Sequence, residues 1–284
     1  MLDHARSPTA EAPADQPLFR SILCGVNATR GSREAARQAA VIAGHRAHVC
    51  YLAVTDEVGT GVAASATLRH EHGEAAAADA RRQAREVGVQ AEALTLHSAS
   101  AADALLGRAA DHDLLVLGAG AGSRTAGIIL GSTATAAVHR APGPVLLTRR
   151  PPRDAEFPKS ILVALDGTPQ AEQALALAIA LAGRHDARIA IVAPEARGPS
   201  DRHVLADEVT AVAIATGVEP LVLDTHGPAP ATICGAADTV VASLIVIGSR
   251  GLSGARALGS VSERVAHEAH CSVLVVRPPP ARRA

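Results

Sequence analysis

One pattern occurs twice in this chain and limits its fold more than any other feature: an apolar strand, a glycine-rich loop, a helix start and a second apolar strand. The later copy is IVIGSRGLSGARALGSVSERVAHEAHCSVLVV, residues 245–276. Residues 244–247 run into Gly248 and Gly251, the loop closes at Gly259-Ser260 where a helix begins, and residues 273–276 return as a strand. In the earlier copy residues 114–117 run into Gly118 and the alternating glycines up to Gly122, then Gly131-Ser132-Thr133, a helix to about Arg140 and a strand at 145–148. Glycines let backbone N–H groups approach an anion with no Cβ in the way, and the first helical turn adds unpaired donors and the positive end of its dipole. The chemistry suits a polyphosphate.

The rest of the chain repeats with it. Residues 21–26 form a continuous apolar run, as in a strand covered on both faces, and stop at a turn from Asn27 to Gly31; Ser32 is the expected cap of a helix that ends at Gly44. A strand at 47–54, a long helix at about 63–87, a strand at 89–96 and a helix at about 99–110 lead to residue 114. The second copy opens with a strand at 161–165, the turn Asp166-Gly167-Thr168, and a helix from Pro169 expected to stop at Gly183. Strands at 187–193 and 218–223 and helices at about 200–216 and 230–239 complete it. Ile22 and Ile161, Gly118 and Gly248, and Gly131 and Gly259 are equivalent; the second copy is nine residues shorter before the loop and two shorter within it. So long a period means duplicated domains and not a solenoid.

The expected fold is α/β: two tandem doubly wound domains, each a five-stranded parallel sheet of order 3-2-1-4-5 with helices on both faces. The expected boundaries are a tail at 1–17, a first domain at 18–149, an extended linker at 150–158 marked by Pro151-Pro152, a second domain at 159–278 and a tail at 279–284. In such sheets ligands bind at the carboxyl ends of the strands, where the first-strand turn meets the loop after the fourth. The fifth strand of each domain, residues 145–147 and 273–275, would be an apolar edge that needs a partner.

Composition removes several function classes. Lys+Arg 27 against Asp+Glu 28 gives no basic field for nucleic acid or an anionic membrane, and one tyrosine with two phenylalanines provides no base-stacking platform. No apolar run is long enough to span a bilayer, and the polar start lacks a signal-type apolar segment, so a cytoplasmic location is expected. Cys24, Cys50, Cys234 and Cys271 have neither redox nor zinc spacing and suit buried thiols, although Cys24 and Cys50 fall in strands expected to be neighbours. Of the thirteen histidines, His267 and His270 are spaced to share a helix face, which is thin for a metal site. There is no G-x-S-x-G elbow, no P-loop and no S-G-G-x-D-S loop.

The motifs ILVALDGT, LIVIGSRGLSG, LGSVSERV and SVLVV, in that order, resemble the universal stress protein family, and the resemblance covers about residues 19–149 and 158–277. Family members that bind ATP carry a glycine, two residues, a glycine, nine residues and Gly-Ser or Gly-Thr, with an Asp after the first strand. The resemblance therefore implies an adenine nucleotide, ATP with or without Mg²⁺. In the second copy Asp166 would face base and ribose, Ala164 and Val192 would line the adenine, Gly248 and Gly251 would meet ribose and phosphates, and Gly259, Ser260 and Ser262 would complete the phosphate cradle. Arg250 suits a phosphate or solvent equally. The first copy offers Asn27, Gly118, Ala121, Gly131, Ser132 and Thr133. Each copy departs from the pattern: Asn27 and Ala121 replace Asp and Gly in the first, while only seven residues, 252–258, separate Gly251 from Gly259 in the second.

The expected function is a non-enzymatic stress-response protein with a regulatory nucleotide. The alternatives are a nucleotide-free interaction module of the same fold and a slow ATP hydrolase. The resemblance also implies that the fifth strands pair the domains within the chain, residues 145–147 packing against 273–275 across a pseudo-two-fold; a homodimer of the tandem unit stays open.

Overall fold

Strand β1 (Ser21–Val26) is the axis of the first half, and its apolar residues are buried on both faces because helices cover both. The computed structural model describes residues 17–55, 63–120, 130–152, 155–194, 207, 209–210, 212–214, 217, 219–225, 227–249 and 260–277. After β1 come α1 (Arg30–Ala43), β2 (His48–Thr55), α2 (Ala63–Glu86), β3 (Gln90–His97), α3 (Ala101–Ala109), β4 (Leu114–Gly118), α4 (Ser132–Arg140) and β5 (Val145–Thr148). The second half follows with β6 (Ser160–Ala164), α5 (Pro169–His185), β7 (Arg188–Val192), β8 (Leu221–Leu223), α6 (Ala229–Thr239), β9 (Leu244–Gly248), α7 (Val261–Glu268) and β10 (Ser272–Val276). The helix expected at 200–216 lies largely outside the described residues.

The strands form one sheet in the order β3-β2-β1-β4-β5-β10-β9-β6-β7-β8. Each half is parallel and has the doubly wound order 3-2-1-4-5. At the centre β10 runs antiparallel to β5, with Val273 opposite Leu147, Leu274 opposite Leu146 and Val275 opposite Val145. On one face a continuous apolar layer joins the halves, from Ile22, Val116 and Leu146 to Leu274, Val246 and Ile161. The opposite face carries two layers, one under α3 and α4 and one under α6 and α7. With so few aromatics the helices present mostly alanine to the sheet; α1 buries Ala35, Ala36, Ala39, Ala40 and Ala43. Among the described residues no helix is long and apolar enough to cross a membrane.

Four local expectations are corrected. Thr29, not Ser32, caps α1: its Oγ1 accepts from the Ser32 N–H at 3.2 Å, while the Ser32 hydroxyl accepts from the Asn27 N–H at 2.7 Å. Helix α5 passes through Gly183 and ends at Asp186, which adopts the left-handed conformation (φ 49°) as the Ala187 N–H returns to Ala182 O at 3.0 Å. His267 and His270 share no helix face, because α7 ends at Glu268 and His270 turns to Asp238 at 3.4 Å. The linker is not fully exposed: Phe157 is buried in the apolar layer shared by the two halves. The described cysteines are all free, and Cys24 faces the opposite side of the sheet from Cys50, because Cys24 stands opposite Tyr51 and Cys50 opposite Leu23. Burial pushes the Cys50 thiol up to about 12, which keeps it inert.

Candidate functional site

The first strand of each half ends in the same turn. Asn27 Oδ1 accepts from the Thr29 N–H at 3.0 Å and from its hydroxyl at 2.6 Å; Asp166 Oδ1 accepts from the Thr168 N–H at 3.1 Å and from its hydroxyl at 2.6 Å. Thr29 and Thr168 then cap α1 and α5. Asn and Asp are thus interchangeable for the fold, and what differs between the halves is charge. The acid of the second half is a neutral amide in the first.

The motif glycines divide into two kinds. A Cβ on Gly248 would lie 2.6 Å from the Gln170 carbonyl carbon and 2.7 Å from Ala171 N, and one on Gly118 would lie 3.0 Å from the Gly31 carbonyl. These two are glycine because the strand end abuts the first turn of α5 or α1, whatever is bound. Gly131 is different: its Cβ would have Gly120 Cα at 3.9 Å as its nearest neighbour, and its backbone (φ −64°, ψ 157°) suits any residue. Among the described residues no contact requires glycine at 131. Gly248→Ala is expected to lower stability by about 3 kcal/mol through overpacking against helix backbone, read as a lower urea midpoint without any nucleotide.

The two loop helices also differ at their starts. Ser260 caps α7 through the Glu263 N–H at 3.3 Å, whereas α4 begins at Gly131 with no side-chain cap among the described residues. Gly131, Ser132, Thr133 and Ala134 line a cleft of about 1730 Å³ over the first half. Leu52, Val54, Leu105 and Leu117 form its apolar floor, the starts of α1 and α4 form two walls, and Arg149 to Pro152 with Phe157 form a third. Sequence reasoning missed the linker wall; its signal was the arginine-rich run before Phe157.

The predicted residues therefore assemble unevenly. Asn27, Gly118, Gly131, Ser132 and Thr133 line one cleft, and Ala121 lies outside the described residues. In the second half Asp166 is exposed, Gly248 and Ser260 are half-buried, and Ser262 is buried beside Ser260, hydroxyl to hydroxyl at 3.4 Å. Ala164 and Val192 are buried in the apolar layer under α6, as Leu52, Leu105 and Leu117 are buried in the corresponding layer of the first half. Arg250, Gly251 and Gly259, with the loop 252–258, lie outside the described residues.

Two further arginines, also missed, tie the loop helices together across the centre of the sheet. Arg149, directly after β5, donates to Ala266 O at 2.6 Å and Cys271 O at 3.5 Å; Arg277, directly after β10, donates to Ala141 O at 2.9 Å and to Val138 O. Each cation thus meets the negative C-terminal end of the other half's helix. Burial pulls Arg149 down to about 10, which still leaves it charged at neutral pH. His139 of α4 meets Glu263 of α7 at 3.0 Å. The signal in sequence was one arginine immediately after each copy's last apolar strand.

Among solved structures, a universal stress protein from Archaeoglobus fulgidus is similar over 91% of this chain and 96% of its own, with a TM-score of 0.75 and 19% identity. A structure described as a universal stress protein from Pseudomonas aeruginosa covers 93% of this chain and 95% of its own, with a TM-score of 0.63 and 18% identity. At those identities the likeness concerns the fold. A Thermus aquaticus universal stress protein is 42% identical over 136 residues, which are 98% of its length and 42% of this chain. The model of the universal stress protein family matches residues 18–149 and 193–277, more than half of the molecule. With two copies of that fold in a single sheet, the chain belongs to the universal stress protein family.

Proposed function

We propose that this stress-family protein binds an adenine nucleotide, ATP in the first instance, in the cleft of its first half, as a regulatory ligand in the cytoplasm and not as a substrate. One coincidence carries this reading: the start of α4 at Gly131, with no side-chain cap among the described residues, lines the same cleft as an apolar floor. An aromatic base would be drawn from water by Leu52 and Val54, and the phosphates would meet the amides of residues 132–134. The second half supports a companion site of weaker geometry. There Asp166 would hold Mg²⁺ or the ribose, and Ser260 already spends its hydroxyl on capping α7. The antiparallel contact of β5 with β10 supports a stable intramolecular pairing of the two halves in solution.

Mass spectrometry of the supernatant released by heating the purified chain, together with melting in added ATP, tests the reading. It expects an adenine nucleotide in the supernatant and a melting temperature raised by several degrees. Neither signal would leave the nucleotide-free interaction module as the function. Steady turnover of ATP, lost on Asp166→Ala, would assign a hydrolase instead.

A further inference from the structure

The wall of the first-half cleft has a charge that a simple nucleotide pocket does not need. Arg30, Arg33, Arg37, Arg149 and Arg150 line it, against Glu34 and Glu156. Glu34 is not free to act as a metal ligand, since its Oε1 accepts from Arg37 Nη2 at 2.6 Å and from Gln38 Nε2 at 2.7 Å. Arg149 is committed to carbonyl oxygens of the other half and so is not free to meet a phosphate. Among the described residues Arg30, Arg33 and Arg150 have no acidic partner, and all three are exposed. At the strand end, where an acid would serve a cation, stands Asn27, whose Oδ1 is held by Thr29.

A magnesium ion asks for carboxylate oxygens and water in an octahedron. Among its described residues this cleft offers one unengaged carboxylate, Glu156, on the linker, and three unengaged guanidinium groups. The described residues of the cleft therefore do not fit Mg²⁺. Three such guanidinium groups against one carboxylate instead match a polyanion directly, and guanidinium is the side chain best shaped to meet phosphate oxygens. Arg30, at the start of α1, and Arg150, on the linker, line the same cleft as Gly131.

Resting on the nucleotide reading above, we infer that the first-half cleft takes a nucleoside triphosphate free of divalent cation, with Arg30, Arg33 and Arg150 supplying the counter-charge. Bound Mg²⁺ removes two of the tail's negative charges, so it competes with the arginines for the phosphates. The two halves then differ in kind: the Asn27 half selects metal-free triphosphate, and the Asp166 half retains the acid that a metal-bound one uses.

Calorimetric titration of the full chain carrying Gly259→Glu, which silences the second half, decides the matter, with the parent chain run alongside and melts recorded for every variant. ATP is expected to bind in EDTA, to bind several-fold more weakly in excess Mg²⁺, and to lose roughly tenfold in affinity with Arg30→Ala and again with Arg150→Ala, while AMP changes less than about twofold. ATP binding that requires or is tightened by Mg²⁺, or that ignores both arginine substitutions, overturns the inference and leaves the nucleotide site standing. Absence of ATP and AMP binding in both conditions, for variant and parent alike, removes the nucleotide reading and the inference with it.

Discussion

Gly131→Glu is expected to weaken ATP binding at the first half by a hundredfold or more while leaving the unliganded protein as stable as before. The backbone at 131 suits any residue and no described atom crowds its Cβ direction, so no strain is expected from the change. A carboxylate at a helix start is itself favourable, by about 0.3–1 kcal/mol, so the melting temperature without ligand should hold or rise slightly. The same carboxylate occupies the amides meant for phosphate and repels it, and like charges placed together cost several kcal/mol, the scale of a hundredfold in affinity. Calorimetry with ATP and melting without it read the two effects separately. A fall in both would mean that Gly131 serves only the fold.

Leu274→Asp is expected to remove about 5 kcal/mol of stability, most of what a domain of this kind possesses. Leu274 is 1% exposed, stands opposite Leu146 at the centre of the sheet, and belongs to the layer that runs under both halves. The substitution loses leucine burial and leaves a carboxylate among aliphatic side chains with no partner. Leu221→Asp, on β8 at the far edge and 55% exposed, provides the contrast and should change stability by less than about 0.5 kcal/mol. Urea unfolding compares the two. Equal, small effects would mean that the β5–β10 contact is not closed in solution.

Much of this architecture was legible because the repeat carries it. Apolar runs of four to eight residues between Gly44, Gly88 and the glycine loops mark parallel strands buried on both faces, and the strand order follows from the doubly wound plan. The site was legible only in outline. Gly118 and Gly248 look like ligand glycines in sequence, yet each is fixed by a helix turn packed against it, a tertiary contact that no local pattern reports. Gly131 carries no such contact among the described residues, and the sequence does not separate the two kinds. Thr29 displaced Ser32 as the cap because Asn27 turns the chain early through Thr29, so two hydroxyl residues three positions apart competed and geometry chose. The arginines escaped for a related reason. Arg149 and Arg277 find their carbonyl partners more than a hundred residues away, and Arg30 and Arg150, far apart in sequence, line one cleft only in the folded chain.

Photolabelling the full chain with 8-azido-ATP and mapping the modified peptides tests whether the first half holds the base. Label is expected on the segment 52–54 and on neighbouring cleft residues of the first half, suppressed by unlabelled ATP. Label that ATP suppresses only in the second half, or no suppressible label at all, would mean that the first half does not hold the base.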